Sequence, residues 1–150
     1  MLIFLDIDGV LVTAKSWENP RILEDGFPDF SKMAIGVLQP IITNQTKVML
    51  TTSHKSRFTL SEWKKIFLRR GLKVNNIGKL EDNLLSLNRK EEITNWFLKN
   101  KVNDDFIIID DDKSLNELPE NLKEHLILTS PMIGLSNQHR DEIDNLIKKR

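Results

Sequence analysis

Short apolar runs alternate with amphipathic stretches along this chain. The clear apolar runs, rich in β-branched residues, are Leu2 to Leu5, Val48 to Leu50, Phe106 to Ile109 and Leu126 to Leu128. A weaker run, Lys73 to Ile77, is interrupted by asparagines. Strands that are buried on both faces are nearly all apolar, whereas half-exposed strands alternate. The pattern therefore predicts an α/β protein whose strands form a mainly parallel sheet.

The stretches between the apolar runs have the spacing of amphipathic helices. A bent helix is predicted over Ser31 to Gln45, because Gly36 and Pro40 interrupt its pattern. The other predicted helices begin at Thr59, at about Lys90 and at Ser136. Helices on both faces of the sheet give a three-layer sandwich of the Rossmann-like kind, with the first strand in its centre.

The length of 150 residues predicts one domain over residues 1–150 and leaves no room for a large cap domain. Residues from about 12 to 30 contain Pro20, Gly26 and Pro28 and show little periodicity, which is typical of a functional loop. Because this loop follows the first strand, we expect a flap over the active site. Trp17 within it is a candidate for stacking on a base or for pinning the flap down.

Composition narrows the function classes. Lysine plus arginine and aspartate plus glutamate both count 22, so net charge offers no global attraction to nucleic acid or to an anionic membrane. The absence of cysteine excludes disulfides, thiolate metal sites and cysteine-based phosphatase chemistry, and it favours the cytoplasm. The apolar N-terminal run ends at Asp6, too early for a membrane span, so no membrane partner is expected. His125 and His139 are expected at the surface.

Carboxylates follow two of the predicted strands. Asp6 and Asp8 come directly after the first strand, and Asp110, Asp111 and Asp112 come after the run that ends at Ile109. Aspartates often terminate strands and cap turns, and for the Asp-x-Asp pair alone that interpretation stays open. Acids gathered at neighbouring strand ends repel one another, however, and a hard divalent cation offsets that repulsion. The whole arrangement predicts a magnesium site.

These motifs resemble those of haloacid-dehalogenase-like phosphatases. The resemblance rests on Asp-x-Asp-Gly-Val-Leu near the N-terminus, a hydroxyl residue after the second strand and Asp-Asp after a later one, in an order that covers nearly the whole chain. Three further segments look like the small branch associated with RNA-repair proteins: Met49 to Lys55, Arg89 to Ile93 and Thr129 to Ser136.

The resemblance implies a role for each carboxylate. Asp6 is the nucleophile that forms an aspartyl-phosphate, and Asp8 protonates the leaving oxygen and then deprotonates the attacking water. Magnesium is held by the Asp6 carboxylate, the backbone carbonyl of Asp8 and an acid of the later pair. That acid is Asp110, with Asp111 as the next candidate.

The resemblance also implies roles for hydroxyl and basic residues. Thr52 is the preferred donor to the phosphoryl oxygens, with Thr51 and Ser53 as its alternatives. Ser53 and Lys55 are candidate substrate-binding residues, although His54-Lys55 stands where the RNA-repair branch often has Trp-Arg. The cation that offsets charge around the nucleophile is either Arg89 or Lys90, and the sequence does not choose between them.

The prediction is a magnesium-dependent phosphomonoester hydrolase whose partner is a phosphorylated substrate, with a nucleic-acid end as the candidate. A cluster of basic residues after Thr52 supports that candidate: Lys55, Arg57, Lys64, Lys65, Arg69 and Arg70. The alternatives are a small-metabolite phosphatase, a non-catalytic regulatory or binding module and a receiver domain. A receiver would carry its acceptor aspartate after a middle strand, where this chain has Thr51-Thr52. The oligomeric state stays open.

Overall fold

The structure is a computed structural model that describes residues 1–14 and 20–148. Trp17, the predicted flap aromatic, lies outside the described residues. Among the described helices, none has the length and apolar character needed to cross a bilayer.

Within the described residues, the strands form a single parallel sheet in the order β3-β2-β1-β4-β5. Their bounds are Leu2–Leu5 (β1), Lys47–Leu50 (β2), Asn76–Lys79 (β3), Phe106–Asp110 (β4) and Leu126–Leu128 (β5). β1 pairs with β2 on one side and with β4 on the other. The predicted parallel sheet with a central first strand is thus confirmed.

The apolar run of β1 is explained by burial on both faces of the sheet. Ile3 and Leu5 point into one core cluster and Phe4 points into another, and all three side chains are buried. Successive side chains of a strand face opposite sides, so each face must be covered by apolar partners.

The helices cover both faces of the sheet. Their bounds are Lys32–Leu38 (α1), Leu60–Arg69 (α2), Arg89–Lys99 (α3), Glu120–Lys123 (α4) and Arg140–Lys148 (α5). The core cluster around Ile3 contains residues of α1, α2 and α5, whereas the cluster around Phe4 contains residues of α3 and α4. The three-layer sandwich is therefore confirmed.

Local chemistry sets the helix ends. Thr59 forms the predicted capping box with Glu62. Asn88 forms a second capping box, so α3 begins at Arg89. The predicted bent helix after Ser31 is shorter than expected. It ends at Leu38, and a 3-10 turn over Gln39–Ile41 contains Pro40, which has no backbone N–H to continue an α-helix.

One described part of the predicted flap, residues 20–30, is packed onto α2. The Arg70 guanidinium forms a bidentate pair with Asp25, with nitrogen–oxygen distances of 2.7 and 2.9 Å. It also donates to the backbone carbonyls of Phe27 and Pro28. Phe27 is 1% exposed and makes an edge-on contact with the Trp63 ring. These contacts fix residues 25–28 against the main core.

The segment after β5 clamps the loop that follows β1. The Thr129 hydroxyl donates to the Gly9 carbonyl at 2.7 Å, and the Leu135 N–H donates to the Val10 carbonyl at 2.9 Å. His139, expected at the surface, is instead 5% exposed. The Ser136 N–H donates to Nδ1 of His139 at 3.0 Å, so His139 caps the turn before α5.

Gly134 is expected to be intolerant of a side chain. Its φ is +72°, and a Cβ added there would lie 2.6 Å from the Val10 backbone oxygen. Gly26 also has a positive φ, +81°, but faces open space. Gly134→Ala should therefore lower the free energy of unfolding by ~2–4 kcal/mol, against ~1–2 kcal/mol for Gly26→Ala. Urea unfolding of both variants measures the difference. Equal losses would show that the backbone around Gly134 and Val10 shifts to accommodate a Cβ at little cost in free energy.

Candidate active site

Three neighbouring parallel strands end at one level of the sheet. Leu5 at the end of β1 pairs with Leu50 of β2 and Ile109 of β4. The residues that follow these three are Asp6, Thr51 and Asp110, and all of them are buried. Ligands of open α/β sheets bind at the carboxyl ends of strands, where the order of strands reverses direction. β1 lies at that reversal.

Asp6, Asp110 and Asp111 form a compact carboxylate cluster. Each offers an oxygen, and these oxygens all lie within 4.8 Å of one another. Asp6 is 4% exposed and Asp110 is fully buried. Gly9 makes room for the third acid, because a Cβ on Gly9 would lie 2.0 Å from Asp111 Oδ2. The glycine of the Asp-x-Asp-Gly motif therefore has a steric reason to be there.

Arg89, the first residue of α3, is the cation of this cluster. Its Nη1 lies 2.5 Å from Asp110 Oδ2 and 3.5 Å from Asp6 Oδ2. Lys90 takes no such position: its backbone N–H donates to Ser114 Oγ, and no ion pair of its ammonium is found in the described parts of the chain. Of the two residues that the sequence could not separate, the structure brings Arg89 to the carboxylates.

The charges at the site are unbalanced. Burial, together with the Asp110 carboxylate, raises the pKa of Asp6 to about 9 despite the Arg89 guanidinium. Burial also raises the pKa of Asp111. For Arg89, burial disfavours the charged form, but the Asp110 and Asp6 carboxylates outweigh it and hold the arginine pKa above its ordinary value. One guanidinium is thus insufficient to neutralise the negative charge of three carboxylates.

The donor set fits a hard divalent cation. All three ligand candidates are carboxylate oxygens, which magnesium prefers. Magnesium holds oxygens at roughly 2.0–2.1 Å. The three carboxylate oxygens, which lie within 4.8 Å of one another, could converge on one such ion. The carboxylate of Asp8 is outside this cluster, and the expected role of its backbone carbonyl stays a prediction.

The threonines after β2 have different partners. The Thr51 hydroxyl donates to Asp110 Oδ2 at 3.3 Å and accepts from Arg89 Nη1 at 3.4 Å. The Thr52 hydroxyl accepts from the His54 backbone N–H at 3.2 Å. Both threonines are fully buried. Thr51 therefore lies in the charged cluster, and the preference for Thr52 as phosphoryl donor stays a prediction.

The two candidate substrate-binding residues are placed differently. Ser53 is exposed, whereas Lys55 is 3% exposed. The Lys55 ammonium lies 2.9 Å from Glu92 Oε2, and Glu92 Oε1 lies 3.7 Å from Arg89 Nε. Glu92 therefore links a buried lysine to the arginine of the cluster. Glu92 was missed from the sequence, although its position one helical turn after Arg89 was a usable signal.

The Asp8 carboxylate lies outside the buried cluster. Its side chain is 58% exposed, and its Oδ2 lies 2.7 Å from His54 Nε2. His54 had no predicted role, because an isolated histidine 46 residues away carries no local signal for this contact. Asp6 and Asp8 thus differ in environment, one buried among charges and the other at the surface.

The fold and the acidic cluster define an α/β protein of Rossmann-like topology with a candidate cation site beside a buried aspartate. A family model for the HAD domain in Swiss Army Knife RNA repair proteins matches residues 2–140. This chain belongs to that family of haloacid-dehalogenase-like domains. No curated protein matches it, and no solved structure matches it. The matched span includes Asp6, Arg89 and Asp110, so the cluster lies within the family's domain.

Proposed function

We propose that this protein is a magnesium-dependent phosphomonoester hydrolase that works through an aspartyl-phosphate. The observation that carries the proposal is the pairing of a buried Asp6, next to Asp110, Asp111 and Arg89, with an exposed Asp8 two residues later. Membership of the haloacid-dehalogenase-like family supports the same chemistry.

In this proposal, Asp6 and Asp8 divide the reaction. An Asp6 carboxylate oxygen attacks phosphorus, the bond from phosphorus to the ester oxygen breaks, and Asp8 gives that oxygen a proton. Water then attacks the same phosphorus, Asp8 takes a proton from it, and the bond from Asp6 to phosphorus breaks. Inorganic phosphate and the original Asp6 carboxylate result.

The other residues act on charge and position. Arg89 offsets negative charge around Asp6, and the Glu92 carboxylate, paired with the buried Lys55, places a negative charge 3.7 Å from Arg89 Nε. Asp6, Asp110 and Asp111 would hold magnesium, which when bound neutralises charge on the transferring phosphoryl group. Positioning together with such electrostatic stabilisation supplies most of the catalysis in phosphoryl transfer.

A phosphorylated nucleic-acid end is the proposed substrate class. The family description, which names RNA repair proteins, supports it. Of the six basic residues after Thr52, Lys55 and Arg70 are buried and paired with acids. The exposed members are Arg57, Lys64, Lys65 and Arg69. The basic surface is therefore smaller than the sequence suggested, but it begins at the loop that carries His54.

A phosphatase screen tests the proposal. Nucleotides, sugar phosphates and oligonucleotides phosphorylated at the 3′ or 5′ end are incubated with the protein, with magnesium or with chelator. We expect phosphate release that requires magnesium. The absence of turnover on every substrate would leave a non-catalytic binding module, and turnover of sugar phosphates alone would leave a small-metabolite phosphatase.

Salt dependence separates the substrate classes. If the four exposed cations contact a single strand, an increase in salt from 50 to 200 mM should raise the KM for an oligonucleotide by about 10-fold or more. This is the order expected from counterion release. The KM for a small monoester should change by less than about twofold. Steady-state kinetics at several salt concentrations give both slopes, and equal slopes contradict backbone contacts.

A further inference from the structure

A hydrogen bond joins the exposed aspartate of the motif to a histidine of another loop. His54 Nε2 lies 2.7 Å from Asp8 Oδ2, and the two side chains are 35% and 58% exposed. An aspartate this exposed is free to adopt several rotamers unless a partner holds it. His54 is the partner that the structure gives to the Asp8 carboxylate.

His54 is itself held from three directions. Its backbone N–H donates to Thr52 Oγ1 at 3.2 Å, and its carbonyl accepts from the Arg57 N–H at 2.8 Å. Its ring makes an edge-on contact with the Phe27 ring at 5.6 Å between centroids. Phe27 is anchored in the core, so the imidazole has a rigid support on one side.

A contribution to stability does not account for this arrangement. An exposed ion pair or hydrogen bond of this kind contributes little to the free energy of unfolding. By contrast, a misplaced proton donor costs one or more orders of magnitude in rate. The contact therefore affects the reaction rate, through the orientation of Asp8, far more than it affects the folding equilibrium.

We propose that His54 is a positioning residue that holds the Asp8 carboxyl in the orientation from which it transfers a proton to the leaving oxygen. This inference rests on the hydrolytic function proposed above. His54 Nε2–H donates to Oδ2, which leaves Oδ1 to carry the transferred proton. The hydrogen bond is thus kept whether or not Oδ1 is protonated.

The test compares two phosphate monoesters whose hydrolysis depends to different degrees on proton donation by Asp8. A 4-nitrophenyl ester has a stable leaving anion, whereas an alkyl ester departs only when its oxygen is protonated. We expect His54→Ala to lower kcat/KM for the alkyl ester by ~10–100-fold and for the 4-nitrophenyl ester by less than ~3-fold. The parameter kcat/KM is used because it reports the first transfer, in which the leaving group departs.

Two further variants make the result specific. His54→Gln keeps a side-chain N–H donor and should recover a large part of the alkyl-ester activity, which a loss of packing alone would not allow. Ser56→Ala is the matched control in the same loop, because its hydroxyl faces Asp82 rather than Asp8, and it should leave both esters unchanged. Thermal unfolding is expected to show the three variants folded, since the His54 side chain is 35% exposed and Ser56 is exposed, so no substitution empties a fully buried site.

Equal losses on the two esters in both His54 variants overturn the positioning role while leaving the hydrolase intact. Full activity of His54→Ala on the alkyl ester overturns it as well. If the wild-type protein with magnesium hydrolyses neither these esters nor any substrate of the screen, the proposed function fails and the role of His54 fails with it.

Discussion

Asp6→Asn is expected to abolish phosphate release on any substrate that the wild-type protein hydrolyses, with a loss of at least ~10⁴-fold in kcat. An amide is a poor nucleophile and cannot form the acyl-phosphate bond. The change keeps the size and shape of the side chain at a 4% exposed position, so the fold should survive. Steady-state and single-turnover assays with enzyme in excess measure the loss.

The same substitution should stabilise the protein in chelator. Burial and the Asp110 charge raise the pKa of Asp6 to about 9, from an ordinary value of 3.8. The folded state therefore binds a proton more tightly than the unfolded chain. That stabilisation is complete below about pH 4 and is lost as the pH rises towards 9.

Asparagine carries no charge to bury, so Asp6→Asn should gain stability over wild type progressively between pH 5 and 9, by ~1–3 kcal/mol at the upper end. Urea unfolding with EDTA at pH 5, 7 and 9 measures both curves. Near-wild-type turnover would eliminate covalent catalysis through Asp6, and a stability difference that does not change with pH would contradict the unbalanced charge at the cluster.

The sheet and the carboxylate positions were accessible from the sequence because each depends on a local pattern. An all-apolar strand such as Leu2–Leu5 needs cover on both faces, and parallel strands end at one edge, so Asp6 and Asp110 had to approach each other. Membership of the family was likewise visible in the order of motifs along the chain.

What the sequence left open depends on side-chain direction or on contacts between distant segments. Thr51 and Thr52 are adjacent, and only the strand register shows that the Thr51 hydroxyl reaches Asp110. His139 looked like a surface residue but caps a buried turn. The contact between His54 and Asp8 needs two loops whose geometry is set by the rest of the fold. Periodicity carries no information about any of these.

Arg89→Met is expected to have the second large effect, on stability as well as on activity. Methionine keeps an unbranched side chain of similar length but removes the guanidinium that lies 2.5 Å from Asp110 and 3.5 Å from Asp6. Removal of one partner of a buried ion pair typically costs ~3–5 kcal/mol. In chelator, we expect the variant to lose about 3 kcal/mol, the lower end of that range, because the carboxylates that remain can take up protons and offset part of the cost.

Magnesium should then stabilise Arg89→Met more than it stabilises the wild-type protein. A ligand that binds only the folded state raises stability by ~2.7 kcal/mol at 100 times its Kd. In the variant, bound cation relieves a repulsion that arginine partly relieves in the wild type, so the shift in Tm on adding magnesium should be larger. Activity should still fall by ~10²-fold or more, because magnesium does not replace a fixed positive charge beside Asp6.

Lys90→Met is the matched control, since it removes an adjacent positive charge from the same helix without touching the carboxylates. It should change the free energy of unfolding by less than about 1 kcal/mol and leave the magnesium-induced shift as in the wild type. Paired melting curves with EDTA and with magnesium, together with kcat/KM for each variant, decide between the residues. If Lys90→Met rather than Arg89→Met loses activity and gains sensitivity to magnesium, the charge-offsetting residue is Lys90, and the contacts of Arg89 with Asp6 and Asp110 serve the fold alone.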